Sequence, residues 1–185
     1  MSRYPLQPKS CPKFQEAPPE TAMANRANLK EHGLRNSGEM FNRMLKSVGL
    51  NREADTYTTN ILHCQPPGNR APLSGEMAIC GDIVLGEIQI LQPTLIFAIG
   101  NIASEFLLNR KGYITKDCGQ VMYSQKINKL CDDRPVVIVP VLHPAFIMRR
   151  QQENAEDGAA LKLQVGEALR VGLRAIRFPG LKERT

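Results

Sequence analysis

The chain has 185 residues, of which 42% are hydrophobic, and its 24 Lys and Arg residues outnumber 18 Asp and Glu residues to give a net charge of +6. This length and apolar content suit one compact domain and exclude an intrinsically disordered chain. No apolar run reaches the roughly 18 residues of a membrane span, and the first residues do not resemble a signal peptide, so we expect a soluble, intracellular protein. The positive charge favours a polyanionic partner without proving one.

Proline dominates the N-terminal part of the sequence. Residues 1–36 contain Pro5, Pro8, Pro12, Pro18 and Pro19 among few apolar residues, which disfavours a regular helix or a central strand. We therefore predict a diverged N-terminal segment over residues 1–36, a folded domain over 37–178 and a short basic tail over 179–185.

The first half of the predicted domain contains two helices and one strand. Apolar residues at helical spacing predict a helix that begins at Ser37 and stops at Gly49. The run Tyr57 to Leu62 is rich in Tyr, Thr and Ile and predicts a short strand. A longer apolar stripe predicts a helix from Ser74 to Leu91, which Pro93 ends.

The second half contains two strands that should be buried on both faces. These are the apolar runs Leu95 to Gly100 and Val136 to Leu142. Helices are predicted over Ile102 to Leu108 and from about Ala159 to Ile176, with a short strand at Gln120 to Tyr123. Strands that alternate with helices predict an α/β fold, a three-layer α/β/α sandwich with a mainly parallel central sheet.

Ligands of such sheets bind beyond the carboxyl ends of the strands. That rule selects the stretches Asn60 to Arg70, Gly100-Asn101 and His143 to Arg150. His63 lies within the first of these stretches, but neither its side chain nor that of His32 matches a functional position. We interpret both as surface or turn residues.

Three motifs carry a resemblance to a known family. Residues 59–72 read Thr-Asn-Ile-Leu-His-Cys-Gln-Pro-Pro-Gly-Asn-Arg-Ala-Pro, a cysteine follows at Cys80, and the last core strand ends in His143-Pro144-Ala145. This pattern resembles family 4 uracil-DNA glycosylases, the iron–sulfur type of that superfamily, over about Ser37 to Arg150. The resemblance implies the uracil-DNA glycosylase fold.

The resemblance also implies roles for individual residues. Asn60 would bind uracil, since an amide offers both a donor and an acceptor to the edge of a flipped base. His143 would be catalytic and stabilise the negative charge that develops on uracil O2, as a neutral or a charged ring. Arg70, Arg149 and Arg150 would bind DNA, with a solvated basic pair as the alternative for the last two.

Cysteine usage departs from the family. The chain has five cysteines, which in an intracellular protein favour free thiols or a metal site over disulfides. The resemblance implies that Cys64 and Cys80 are two of the four thiolates of a [4Fe–4S] cluster. The family's upstream Cys-x-x-Cys pair is not matched. Either two of Cys11, Cys118 and Cys131 complete the set of four, or Cys64 and Cys80 are a remnant pair, which we favour.

The first catalytic motif of the family is also altered. Residues 15–20 resemble its remnant, which gives Glu16 the position of the catalytic acidic residue that helps the hydrolytic water. Both glycines of that motif are replaced. The aromatic residue on which the family stacks uracil falls at Gly33 or Leu34, and neither offers a ring.

These observations leave more than one function open. The first is an enzyme that removes uracil from single- or double-stranded DNA by hydrolysing the N-glycosidic bond after base flipping. The alternative is a catalytically impaired DNA-binding member of the same superfamily, of the phage polymerase-related type. A nucleotide-binding protein of another α/β family is disfavoured because the sequence has no Gly-rich phosphate loop. We expect a monomer in the cytoplasm, or in the host cytoplasm if the protein is viral.

Overall fold

A computed structural model describes residues 37–63, residue 66 and residues 70–177. Within these ranges the chain alternates helices with two strands, in the order α1 (Ser37–Ser47), α2 (Arg52–Asp55), α3 (Ser74–Leu91), β1 (Leu95–Ile99), α4 (Asn101–Leu108), α5 (Ile114–Asp117), α6 (Gln125–Leu130), β2 (Val137–Val141), α7 (Pro144–Glu153) and α8 (Ala155–Arg177). None of the described helices is long and apolar enough to span a membrane.

The two strands form a parallel pair, as their continuous apolar runs predict. Leu95 pairs with Val137, and the register continues to Ile99 opposite Val141. The predicted strand at residues 120–123 is reduced to a single antiparallel bridge between Met122 and Ile138. The carboxyl ends of β1 and β2 therefore lie side by side at one edge of the sheet.

Helices cover both faces of this sheet. Successive strand side chains point to opposite faces, so Val137, Val139 and Val141 enter one core cluster and Ile138 enters another. The first cluster joins the sheet to α1, α7 and α8, and the second joins it to α3, α4 and α6. This arrangement confirms the three-layer α/β/α fold and its parallel sheet.

The predicted strand at residues 57–62 is wrong. The segment has no regular secondary structure and pairs with no strand in the described part of the chain, and residues 57–60 are exposed. Its Tyr, Thr and Ile content reflects an intrinsic preference that becomes a strand only where a neighbouring backbone offers a ladder. Only Ile61 is buried, in the cluster with α3.

The predicted helix from Ser74 to Leu91 is confirmed with the same limits. The last helix begins at Ala155 rather than near Ala159, because Asn154 caps it: its Oδ1 accepts hydrogen bonds from the backbone N–H of Glu156 (2.9 Å) and of Asp157 (3.4 Å). The short helices α2, α5 and α6 were not predicted.

Candidate active site

His143 stands where β2 ends and α7 begins. It is the N-cap of α7, and Pro144 occupies the first turn, where the missing N–H costs nothing. The His143 Nδ1 accepts a hydrogen bond from the backbone N–H of Ala145 at 3.1 Å. Since an accepting nitrogen carries no proton, the proton of the neutral ring lies on Nε2, which is left to donate to a ligand.

The surroundings favour this neutral ring. Displacement of water by neighbouring protein atoms lowers the pKa of His143 below its ordinary value of 6.5, and the positive charge of Arg149 lowers it further. At neutral pH the imidazole is therefore an uncharged hydrogen-bond donor, although part of its surface is open to solvent.

Gly100 directly follows the neighbouring strand β1 and lies against His143. Its N–H donates to Val141 O at 2.8 Å, and its φ of +87° is one that residues with a side chain rarely adopt. A Cβ on Gly100 would lie 3.4 Å from the His143 Cβ. The two residues thus sit in contact at the carboxyl edge of the sheet, as the strand-end rule predicted.

Arg149 and Arg150 lie on α7 and are both exposed. Arg150 pairs with Glu153 at 3.0 Å and lies over the Phe146 ring at 5.8 Å from its centroid. Arg149 forms no hydrogen bond or ion pair with any described residue. Its guanidinium group is the more available of the two for an external anion.

Asn60 presents a free amide. Its side chain is exposed and forms no hydrogen bond within the described residues, while Ile61 beside it is buried at 9% exposure. No hydrogen bond or ion pair joins Asn60 to His143.

Arg70 is already paired with an acidic side chain. Its guanidinium group donates to both carboxylate oxygens of Glu76, at 2.9 and 2.7 Å, and Glu76 also accepts from the backbone N–H of Leu73 at 3.0 Å. The hydrogen bond that Arg70 donates to Glu76 raises the pKa of Arg70. This pair stabilises the start of α3, so Arg70 would have to share its guanidinium group to hold a phosphate.

The described cysteines do not assemble a metal site. Cys80, Cys118 and Cys131 are free thiols, and no group of three or more metal-binding side chains occurs in the described ranges. Cys118 packs against the cluster that contains α8, whereas Cys131 belongs to the cluster on the other face of the sheet. Burial raises the pKa of both thiols, which disfavours the thiolate form that binds metal.

A four-thiolate cluster therefore does not fit the described residues. Cys118 and Cys131 cannot reach one cluster from opposite faces of the sheet, and only Cys80, buried on α3, remains at the predicted site. Glu16, Cys11 and Cys64 lie outside the described residues.

A polar contact that the sequence did not predict lies beside Asn60. His63, which we interpreted as a surface or turn residue, lies in a bend, but its side chain is only 10% exposed and faces Glu87 on α3. In the sequence, the sign of this contact was that Glu87 is an acidic residue at the border of the apolar stripe that Val84 and Ile88 form.

These features define an α/β protein with a polar site at the carboxyl edge of a parallel sheet. A comparison with protein families identifies the family of this α/β protein. The model of the uracil DNA glycosylase superfamily matches residues 16–169. The chain belongs to the uracil-DNA glycosylase superfamily.

Individual relatives refine this assignment. The chain is 32% identical over 135 residues to the type-4 uracil-DNA glycosylase of Archaeoglobus fulgidus, a match that covers 71% of this chain and 64% of the relative. It is 33% identical over 119 residues to the type-4 enzyme of Thermotoga maritima, covering 64% of this chain and 57% of the relative. The chain thus spans less than two thirds of the length of each.

A third relative has a different name. A DNA polymerase of Bacillus phage SP01 is 27% identical over 114 residues, which cover 62% of this chain but only 11% of the polymerase. The similarity therefore covers only a small part of a much larger phage protein.

Proposed function

We propose that this protein removes uracil from DNA by hydrolysing the N-glycosidic bond of deoxyuridine. The observation that carries the proposal is the neutral His143, whose Nδ1 is engaged by Ala145 and whose Nε2–H is free to donate at the carboxyl edge of the sheet. Membership of the superfamily and similarity to type-4 uracil-DNA glycosylases support it. The names of these relatives favour the enzyme over an inactive DNA-binding member.

In the proposed reaction the target nucleotide leaves the base stack, and the exposed amide of Asn60 donates to and accepts from the edge of uracil. The bond between C1′ and N1 breaks, and its electron pair leaves with the base. The Nε2–H of His143 donates a hydrogen bond to O2 of the resulting anion. A water molecule bonds to C1′ and gives up a proton, which the carboxylate of Glu16 is proposed to accept.

DNA would be held mainly through its phosphates. Arg149 has no competing anion among the described residues, so we assign it the strongest phosphate contact, with Arg150 beside it. Arg70 would contribute only by sharing the guanidinium group that Glu76 holds. We propose an intracellular protein that acts as a monomer on single- or double-stranded DNA.

The activity is tested on an oligonucleotide with one uracil. Incubation with the protein should produce an alkali-labile abasic site at that position and release free uracil. The same oligonucleotide with thymine is the substrate control, and His143→Asn is the protein control. Binding without cleavage of either oligonucleotide would contradict the proposed activity and favour the DNA-binding alternative.

We further propose that Cys64 and Cys80 are the remnant of the family's cluster site rather than half of a complete one. Iron per chain, measured on anaerobically purified protein, should then lie well below the roughly four atoms of a full cluster, without strong absorbance near about 400 nm. Cys118→Ser and Cys131→Ser are the matched controls and should leave the iron content unchanged. An iron content near four atoms per chain would overturn this proposal.

A further inference from the structure

One carboxylate on α3 contacts both flanks of Asn60. The Tyr57 hydroxyl donates to Glu87 Oε1 at 3.0 Å, and the His63 Nε2 lies 3.8 Å from the same oxygen. That Nε2 also lies 3.5 Å from the Thr59 hydroxyl. Tyr57 precedes Asn60 by as many residues as His63 follows it, so the contacts bracket the amide. We call Tyr57, His63 and Glu87 the Glu87 clamp.

The backbone does not fix this segment. Residues 58–63 form no backbone–backbone hydrogen bond within the described part of the chain. The buried Ile61 anchors one point, but a single apolar side chain leaves the chain free to rotate about it. Side-chain contacts on either side of Ile61 are needed to fix the direction in which Asn60 points.

The His63 and Glu87 side chains of the clamp are shielded from water, whereas Tyr57 is 61% exposed. The side chains of His63 and Glu87 are 10% and 23% exposed. Glu87 Oε2 is buried without a partner among the described residues, so the carboxylate is held through the contacts of Oε1. Removing the Tyr57 hydroxyl or the Glu87 carboxylate should therefore release the segment.

We propose that Glu87 is a positioning residue that holds the Asn60 amide in the direction required to bind uracil. This inference rests on the proposed function, because it concerns how the proposed uracil-binding residue is oriented. Glu87 acts through Tyr57 and His63 and does not itself contact the substrate.

The first arm of the test measures the clamp without any activity. Backbone amide order parameters of residues 56–63, measured by NMR relaxation, are compared among the parent, Glu87→Ala, Glu87→Gln and Tyr57→Phe. Loss of the Tyr57 hydrogen bond in Tyr57→Phe should lower the order parameters from the parent values toward the roughly 0.6 that marks a flexible backbone, and Glu87→Ala should lower them further. Glu87→Gln keeps an oxygen acceptor for Tyr57 and should stay close to the parent.

Asp82→Ala is the matched control, because Asp82 is an exposed acidic residue on the same helix. It removes the same charge and should leave the order parameters of residues 56–63 unchanged. Equal order parameters in Glu87→Ala and the parent would overturn the clamp, and Tyr57→Phe supplies the same comparison should Glu87→Ala fail to fold.

The second arm measures uracil recognition. Free uracil inhibits an enzyme that binds it, so its inhibition constant should rise several-fold in Glu87→Ala, with recovery in Glu87→Gln. Affinity for uracil-free DNA should not change in any variant. A segment with lower order parameters while the inhibition constant stays at the parent value would overturn the positioning role. If the parent neither cleaves nor responds to uracil, the proposed function fails, and the order parameters alone decide for or against the clamp.

Discussion

The surroundings of His143 and of Asn60 are built in different ways. His143 follows a strand whose residues are all buried, and its ring is tied to the first turn of a helix by the bond to Ala145. Asn60 lies in a segment without regular secondary structure or a backbone ladder, and side-chain contacts to Glu87 flank it. The main chain thus dictates the position of His143, whereas side chains dictate that of Asn60.

This difference predicts different responses to mutation. A change in the His143 side chain should leave its backbone in place, because β2 and the core of α7 hold it. A change near Asn60 should move the backbone that carries the amide. Substitutions of His143 should therefore change the chemistry of the site with the least movement of its backbone.

The largest expected effect is the loss of His143. Both His143→Ala and His143→Asn remove the Nε2–H donor, and kcat should fall by about 10²–10³-fold, the usual cost of one donor to a developing anion. The asparagine keeps an N-cap acceptor for Ala145, so only His143→Ala should lose stability, by about 1 kcal/mol. Single-turnover cleavage and urea unfolding measure the two effects separately.

Equal loss of stability in both variants would show that the hydrogen bond from Ala145 contributes little to the capping of α7. Full activity in His143→Asn would remove the proposed role of the Nε2–H in catalysis.

Replacement of Asn60 should have the next largest effect. Asn60→Ala removes the donor and the acceptor that are proposed to read uracil, at a cost of about 1–3 kcal/mol, or roughly 5- to 150-fold in kcat/KM. General DNA affinity should stay near normal, since phosphate contacts are retained. Competition between uracil-containing and uracil-free DNA measures the preference, which should disappear.

Replacement of Arg149 and Arg150 by alanine should affect binding without affecting preference. Affinity for uracil-containing and uracil-free DNA should fall about equally, and the slope of log affinity against log salt should fall by about one to two units. We assign the larger share to Arg149, since Glu153 competes for Arg150. Fluorescence anisotropy across a salt titration gives both quantities.

The matched control is Arg174→Ala combined with Arg177→Ala. These arginines end α8, and Gly172 just before them packs against Leu95 at the amino end of β1, away from His143. This double substitution removes the same charge and should change the salt slope less. If the Arg149 and Arg150 variant binds DNA as tightly as the parent at every salt concentration, α7 presents only a solvated basic face.

Much of the fold was predictable because local sequence and tertiary structure agree. The strands β1 and β2 are continuous apolar runs, and the apolar stripe of α3 ends before Pro93, so their limits follow from the sequence. The strand predicted at residues 57–62 was wrong because its residues suit a strand but find no ladder. The helices α2 and α6 are too short to show a helical period.

The site was predictable only in part, for a related reason. The strand-end rule and the resemblance both selected His143, but not the protonation of its ring, which depends on the bond that Ala145 makes to it. Glu87 was missed because its partner Tyr57 lies 30 residues away in the sequence. Contacts over such a separation leave no periodic pattern.

The smallest expected effect concerns the titration of His143. Its pKa is lowered in the folded protein, first by loss of hydration and then by Arg149, so it should lie below the value of 6.5 of an exposed histidine. Its contribution to stability is then complete above that value. As the pH falls, the unfolded chain binds the proton first, so stability declines until the pH passes the folded pKa.

Arg149→Ala tests the second cause by itself. Removal of the guanidinium charge should raise the pKa of His143 but leave it below 6.5, because the loss of hydration is the larger cause and remains. The proton signals of the His143 ring, followed by NMR from pH 7.5 to pH 4.5, report this pKa directly. His143→Asn identifies the signals by their disappearance and should also flatten the fall of stability at acid pH. A folded pKa at or above 6.5 in the parent would show that the ring is charged in the range where we expect a neutral donor, and uracil would then meet an imidazolium.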